Sequence, residues 1–349
     1  MAKTGIGQVT ITRVAQEAGV SAQTVSRVIN NRPDVSPGTR QRVQQVITRL
    51  GYQPNAIARS LIRRRSHTLG VVASGLQYYG PSSTVVGIEQ GANALGYSLL
   101  LSLLHQPETE KVEQIIAALL ARQVDGIIWA VPEIGNNRSW LQENVPHLAV
   151  PIVFLSMQPR AHLPVVAVDN WTGGRLATEH LLAQGYRTIG LITGPLDWWE
   201  ARERKRGWHD ALCAADIPVN DSLVVEGNWS ASSSERGLFQ LLEQCPGLQA
   251  VLASNDQMAL GVLQAARRLN RRVPEDLAVA GFDDIPESAF FCPPLTTVSQ
   301  NLNELGRTAV HVLSQIITAR QQSDGAFPLE SIWLKPQLVI RSSSVCDKQ

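Results

Sequence analysis

Seven short apolar runs recur along this 349-residue chain, at Leu69–Ser74, Ser98–Leu104, Gly126–Val131, Pro151–Leu155, Thr188–Thr193, Leu248–Ala253 and Leu277–Phe282. Each has the length of a strand buried on both faces, and stretches of helical length separate them. Steady alternation of strand and helix gives parallel sheets covered by helices, a doubly wound α/β architecture. Two helices end in a Gly-Tyr pair that leads straight into a strand, at Gly96-Tyr97 and Gly185-Tyr186. The echo suggests two similar lobes, although glycine as a common helix C-cap accounts for each pair on its own.

Upstream the period changes from strand to helix. Thr10 is placed to cap a helix with Ile11, Val14, Ala15 and Ala18 on its apolar side, and Gly19 to end it in the left-handed conformation. Ser21 caps the next helix, where Val25, Val28 and Ile29 face inward and Ala22, Gln23, Ser26 and Arg27 face out. Two short helices pinched around Ala18-Gly19-Val20 form a helix-turn-helix, the shape that enters a major groove of duplex DNA. Gln pairs bidentately with adenine and Arg with guanine. A third helix starts at Ser36-Pro37, turns Val43, Val46, Ile47 and Leu50 inward, and stops at Gly51. Asn55 then caps Ala56–Leu61, a segment too short to be stable alone and therefore a candidate hinge.

Charge divides the chain at the same place. Residues 1–66 hold eleven Lys or Arg against two acids, a net +9, so that a total of +1 leaves −8 on the remainder. A basic head gives salt-sensitive affinity for phosphate, and an acidic body is repelled by it. With 44% hydrophobic and 17% charged residues the body is globular. No apolar run reaches the ~20 residues that span a bilayer, and the N-terminus lacks the apolar stretch of a signal peptide. A cytoplasmic protein without a membrane partner is expected. Four cysteines lie far apart with no CxxC, and seven histidines form no HxH or HExxH. Reduced thiols, no metal and no cofactor follow.

Ligands of doubly wound folds bind beyond the carboxyl ends of the strands. There this chain is polar and aromatic: Ser74 ends the first run, followed by Tyr78, Tyr79 and Pro81; Arg202 follows Gly194–Trp199; Trp229 stands in a loop; Asn255-Asp256-Gln257 and Asp283-Asp284 close two later runs. Flat rings ringed by carboxylate, amide and guanidinium groups suit a neutral saccharide. Asp256 and Asp283 raise the alternative of glycoside cleavage. There is no GxSxG elbow and no phosphate-cradling loop, and a DNA-reading head has no use in an enzyme, so binding without catalysis is expected.

These residues resemble the LacI/GalR family of bacterial transcriptional repressors. The likeness runs from about Val9 to Arg341 and is most specific in Val20–Val28, Tyr52–Asn55, Ala253–Gly261, Gly281–Asp284 and Pro293–Thr297. It implies a homodimer on a two-fold, double-stranded operator and a two-lobed core, like a periplasmic binding protein, that closes on an effector. Its implied DNA contacts are Thr10, Ser21, Ala22, Gln23, Thr24, Ser26, Arg27, Asn30, Asn55, Ala58 and Leu61, the last wedged into the minor groove. Effector contacts would fall on Tyr78, Pro81, Trp198, Arg202, Trp229, Asn255, Asp283 and Leu302, beside Ser74. The expected division is a head over 1–54, a hinge over 55–66 and a core over 67–345, with lobe one at about 67–167 and 298–322 and lobe two at about 168–297 and 323–345.

Departures narrow the reading. Arg13 stands where members usually have Asp, and Ala130 and Ser156 stand where a galactoside-binding member has Asn and Asp. Trp198 stands where a galactoside-binding member has a small residue, which makes the pocket more aromatic and suits stacking of a second sugar ring. After Arg341 there is no place for the leucine heptads that make a tetramer, so a dimer is expected. The functional expectation is a repressor of a carbohydrate-utilisation operon, released by a sugar, either a disaccharide or a glycoside. The alternatives are a corepressor-dependent regulator and a sugar-binding transport protein. The second would need a secretion signal and no basic head.

If Gln23 and Arg27 read bases, replacing either by Ala should cost about 1–3 kcal/mol of operator affinity while leaving low-salt binding to random DNA nearly unchanged. Parallel anisotropy titrations on the two DNAs check this. Equal losses on both would remove the base-reading role.

Overall fold

The computed structural model describes residues 9–52, 65–106, 112–141, 148–322 and 331–345. Two compact units emerge, residues 1–66 and 67–349. The hinge expected over 55–66, with Asn55, Ala58 and Leu61, lies almost wholly outside the described residues.

In the first unit, helices α1 (Ile11–Ala18), α2 (Ala22–Ile29) and α3 (Pro37–Leu50) pack around Val14, Ala15, Ala18, Val25, Val28, Val43 and Val46. The caps are those the sequence indicates. Thr10 Oγ1 accepts from the Arg13 amide and Ser21 Oγ from that of Thr24, while Gly19 (φ 64°) and Gly51 (φ 62°) end their helices in the left-handed region.

The second unit holds two six-stranded sheets. The first contains β1 (Thr68–Ser74), β2 (Ser98–Leu104), β3 (Gly126–Ala130), β4 (Ile152–Leu155), β5 (Val165–Val168) and β11 (Ile332–Leu334), in the order β11-β5-β4-β3-β1-β2. The second contains β6 (Ile189–Thr193), β7 (Val224–Glu226), β8 (Ala250–Ala253), β9 (Ala278–Asp283), β10 (Thr296–Ser299) and β12 (Gln337–Val339), in the order β12-β10-β9-β8-β6-β7. All pairings are parallel except β10 with β12. The two orders are the same pattern, so the lobes are alike. The Gly-Tyr echo is not the cause, because Gly96-Tyr97 enters the edge strand of one lobe and Gly185-Tyr186 the first strand of the other. Helix C-capping explains both, with φ 72° and 98° at the glycines.

The chain crosses between lobes three times, after β5, after β10 and between β11 and β12. The last crossing corrects the expected division. Residues 332–334 belong to lobe one, paired with β5, so 323–345 does not lie wholly in lobe two. The final stretch is split because each sheet takes one edge strand from it.

Helices cover both sheets: α4 (Tyr79–Ala94), α5 (Val112–Ala121), α6 (Asn170–Ala183), α7 (Trp199–Ala214), α8 (Ala231–Gln244), α9 (Asp256–Arg268) and α10 (Leu302–Gln322). Two of the closest helix pairs start at the crossings. A Cβ on Gly207 of α7 would sit 2.1 Å from the Trp171 carbonyl oxygen of α6, and one on Gly174 of α6 would sit 2.3 Å from that of Arg204. Lobe one repeats the device: Gly87 of α4 would meet the Asn303 carbonyl at 2.1 Å and Gly306 of α10 that of Thr84 at 2.3 Å. Among the described residues no helix is long and apolar enough to cross a membrane.

Gly207→Ala should therefore push α7 off α6 and destabilise the core by about 1–3 kcal/mol or more. Calorimetry on the full chain should show a lower core melting temperature. An unchanged melt would mean that the two helices do not need this contact.

Candidate functional site

On the head, Ser21, Ala22, Gln23 and Arg27 are exposed on α2, opposite buried Val25 and Val28. Ser26 is half-buried, as is Thr24, whose hydroxyl lies 2.9 Å from that of Ser21. The Asn30 amide donates to the Ser26 carbonyl at 2.8 Å and closes the helix end. Arg27 faces Asp34 at 3.5 Å across solvent, a pairing weak enough to yield to a base. The structure thus presents Gln23 and Arg27 together on one open helix face, with Thr10 exposed at the start of α1.

In the core a cavity of about 380 Å³ opens at the carboxyl ends of strands from both sheets. Tyr78, Pro81, Trp198, Trp229, Asn255, Asp283 and Leu302 line it, as the sequence indicates. The rings form a row, with Tyr78 edge-on to Trp198 at 5.9 Å and Trp198 edge-on to Trp229 at 5.5 Å. Trp229 is held by its neighbours. Asn255, the N-cap of α9, donates to the Trp229 carbonyl at 3.2 Å, and Gly194 is glycine because a Cβ there would lie 2.2 Å from the indole. Ser156 (φ 52°), Trp229 (φ 68°) and Asp283 (φ 115°) are non-glycine residues with positive φ at the cavity wall, the backbone strain that gathers at binding sites.

At the centre lies Arg204, buried, on α7. Its Nε donates to Asn170 Oδ1 at 2.8 Å, Nη2 to Gln300 Oε1 at 3.4 Å and Nη1 to the Ser254 carbonyl, with Asp283 Oδ1 at 3.8 Å. Its guanidinium stacks 3.9 Å from the Phe282 ring centre. Gln300 also donates to Asp283. Burial pushes the Asp283 carboxyl up to about 6, against the opposing pull of Arg204 and of the Gln300 hydrogen bond. Asp256 is fully buried and pushed up to about 8 by burial and by the charge of Asp283. It accepts from the Thr297 hydroxyl and the Ile285 amide and does not line the cavity, so the two carboxyls do not face a ligand together.

Two expected contacts are corrected. Arg202 is exposed and donates to the Leu196 and Asp197 carbonyls at 3.0 and 2.8 Å, which braces the turn before α7 and leaves it off the cavity wall. Ser74 is the buried last residue of β1 and does not line the cavity either. Sequence reasoning passed over Arg204, Asn170, Glu200 and Gln300. The signal for Arg204 was helical phase: Ala201, Arg204, Trp208 and Ala211 fall on one buried stripe of α7, and Arg202 falls opposite.

A helix-turn-helix head joined to a two-lobed core with a ligand cavity between its sheets defines a ligand-responsive DNA-binding protein. Residues 10–55 match the model for bacterial regulatory proteins of the lacI family, and residues 178–344 match the periplasmic binding protein-like domain. The chain is 36% identical to the lactose operon repressor of Escherichia coli (strain K12) over 309 residues, 88% of this chain and 84% of that one. It superposes on the lac repressor dimer bound to operator and the anti-inducer ONPF with a TM-score of 0.84 at 34% identity, covering 97% of this chain and 99% of that one. A complex of the transcriptional regulator CelR with cellobiose matches with a TM-score of 0.70 at 32% identity, over 96% and 99% of the two chains. The chain belongs to the LacI family.

Two outcomes follow from this geometry. Arg202→Ala should change stability by under about 1 kcal/mol and leave ligand affinity nearly intact, whereas Arg204→Lys should weaken ligand binding sharply, because an ammonium lacks the planar fork. Calorimetric titration of both variants separates them, and the reverse order would restore Arg202 to the site. The second outcome concerns pH. The Asp256 carboxyl binds its proton more tightly folded than unfolded, so its stabilising contribution is complete below the unfolded pKa near 4 and disappears as pH rises toward 8. Asp256→Asn should gain stability relative to the unsubstituted chain between pH 5 and 8, in paired melts. A flat difference would contradict the shift.

Proposed function

We propose that this chain is a transcriptional repressor of a carbohydrate-utilisation operon that binds its operator as a homodimer and releases it when a saccharide, either a disaccharide or a glycoside, fills the core cavity. The observation that carries the reading is the row of three rings beside a buried guanidinium and carboxylate, in a cavity within the roughly 300–1,000 Å³ of small-ligand sites. Ring faces cover the apolar side of a pyranose, and Asp283, Arg204 and Asn170 offer acceptors and donors to its hydroxyls. Likeness to a regulator solved with cellobiose supports a ligand of two rings.

Asp256 and Asp283 do not act together on one ligand, since Asp256 is engaged by Thr297 and Ile285 away from the cavity. Release needs only a difference in ligand affinity between two arrangements of the lobes. A 100-fold preference is worth about 2.7 kcal/mol.

A thermal-shift panel of mono- and disaccharides on the full chain should give at least one strong hit, because ligand at 100 times its Kd adds about 2.7 kcal/mol. The same sugar should loosen operator DNA in a titration. Tightening instead would make the chain corepressor-dependent, and no hit among saccharides would overturn the sugar reading.

A further inference from the structure

Two carboxyl side chains line the cavity, and the fold provides for them differently. Asp283 has Gln300 and Arg204. Glu200, in the first turn of α7, has an Oε2 atom shut off from solvent and without a hydrogen-bond partner. Burial pushes its carboxyl up to about 7, although Arg204, Ser156 and Arg138 all pull the other way. Trp229 Nε1 is a second unpartnered polar atom in the same cavity. Buried polar groups are almost always satisfied, so a small turn of the Glu200 carboxyl toward the cavity, where a ligand hydroxyl supplies the missing partner, is favoured once a ligand is present.

Position says which part of the ligand. The segment before Glu200 is fastened to lobe one: the Trp199 amide donates to the Glu133 carbonyl at 2.9 Å, the Gly135 amide to that of Asp197 at 3.0 Å, and Ile134 bridges Trp198. Glu200 therefore stands beside Ser156 at the end of β4, whereas Asp283 ends β9 in the other sheet. The rings of Tyr78, Trp198 and Trp229 follow one another edge to face at 5.9 and 5.5 Å, which offers a ligand more than one ring to lie against. Charge says what chemistry. Arg204 and Arg138 already act on Glu200 as cations, so a neutral donor fits better than a further cation.

We propose that Glu200 is a specificity residue of this cavity, accepting a hydrogen bond from a hydroxyl on the second ring of a disaccharide and so selecting two-ring sugars over their parent monosaccharides. This rests on the reading of the cavity as a saccharide site. The test is calorimetric titration of the full chain with glucose, galactose and a panel of their α- and β-linked disaccharides, cellobiose and lactose included, repeated on Glu200→Ala and Glu200→Gln. Glu200→Ala should weaken the best disaccharide by ten- to a hundredfold, the range of one lost hydrogen bond to a charged group. Glu200→Gln should fall between, and monosaccharide affinity should move less than about twofold. Melts without sugar should show both variants at least as stable as the unsubstituted chain, because each removes a carboxyl whose charged form burial disfavours. Equal losses for one- and two-ring sugars, or a lowered melt, would make Glu200 structural and overturn the proposal alone. If no sugar binds the unsubstituted chain, the saccharide reading falls and takes this proposal with it.

Discussion

The core depends on one buried charge. Taking a guanidinium out of water costs several kcal/mol unless its donors are met, and the donors of Arg204 are met by groups from separate parts of the chain. Asn170 stands just after the first crossing between lobes and Gln300 at the second, while Ser254 follows β8 and Asp283 ends β9. The arrangement that satisfies the charge is therefore also the one that fixes both crossings against the cavity floor. Phe282 completes it by giving the planar cation a ring face to lie on.

A second tie joins the lobes at the cavity rim. Residues 197–199 follow a strand of the second sheet, yet Trp199 is buried in the apolar cluster of the first lobe with Trp129, Trp140 and Phe154. Trp198, next to it, turns into the cavity. A ligand pressed on Trp198 thus touches a segment whose position already reports how the lobes sit on each other. That supplies what any ligand-driven switch requires, a contact that differs between arrangements.

Much of this was legible in the sequence. The seven apolar runs became β1, β2, β3, β4, β6, β8 and β9; six are buried on both faces and carry their signal in composition alone, whereas β2 lies at a sheet edge and leaves Leu101 and Leu103 exposed, against the expectation of burial on both faces. The five strands passed over, Val165–Val168, Val224–Glu226, Thr296–Ser299, Ile332–Leu334 and Gln337–Val339, have three or four residues, too few for any period to register. Their sheet membership is set by tertiary pairing, which is why the last lobe crossing was misplaced. The aromatic wall was legible because ring residues after a strand have few other uses. The polar centre was not, since Arg202 and Arg204 differ only in helical phase, and that phase is set by the turn that Arg202 itself braces.

The same logic puts close helix packing beside the first two crossings, where a loose hinge would be expected. Each of the first two crossings runs directly into a helix that meets a neighbour glycine to carbonyl, α6 against α7 and α10 against α4. Contact that close leaves no room for a side chain to give way, so a helix slides or tilts as a unit instead of bending locally. Asn170 and Arg204 ride on one such pair, and Leu302 and Tyr79 begin the members of the other. Movement between lobes would consequently carry the cavity's polar centre and its aromatic rim as rigid pieces. A sugar that fits both pieces in only one arrangement then holds the lobes there with contacts it has to make anyway.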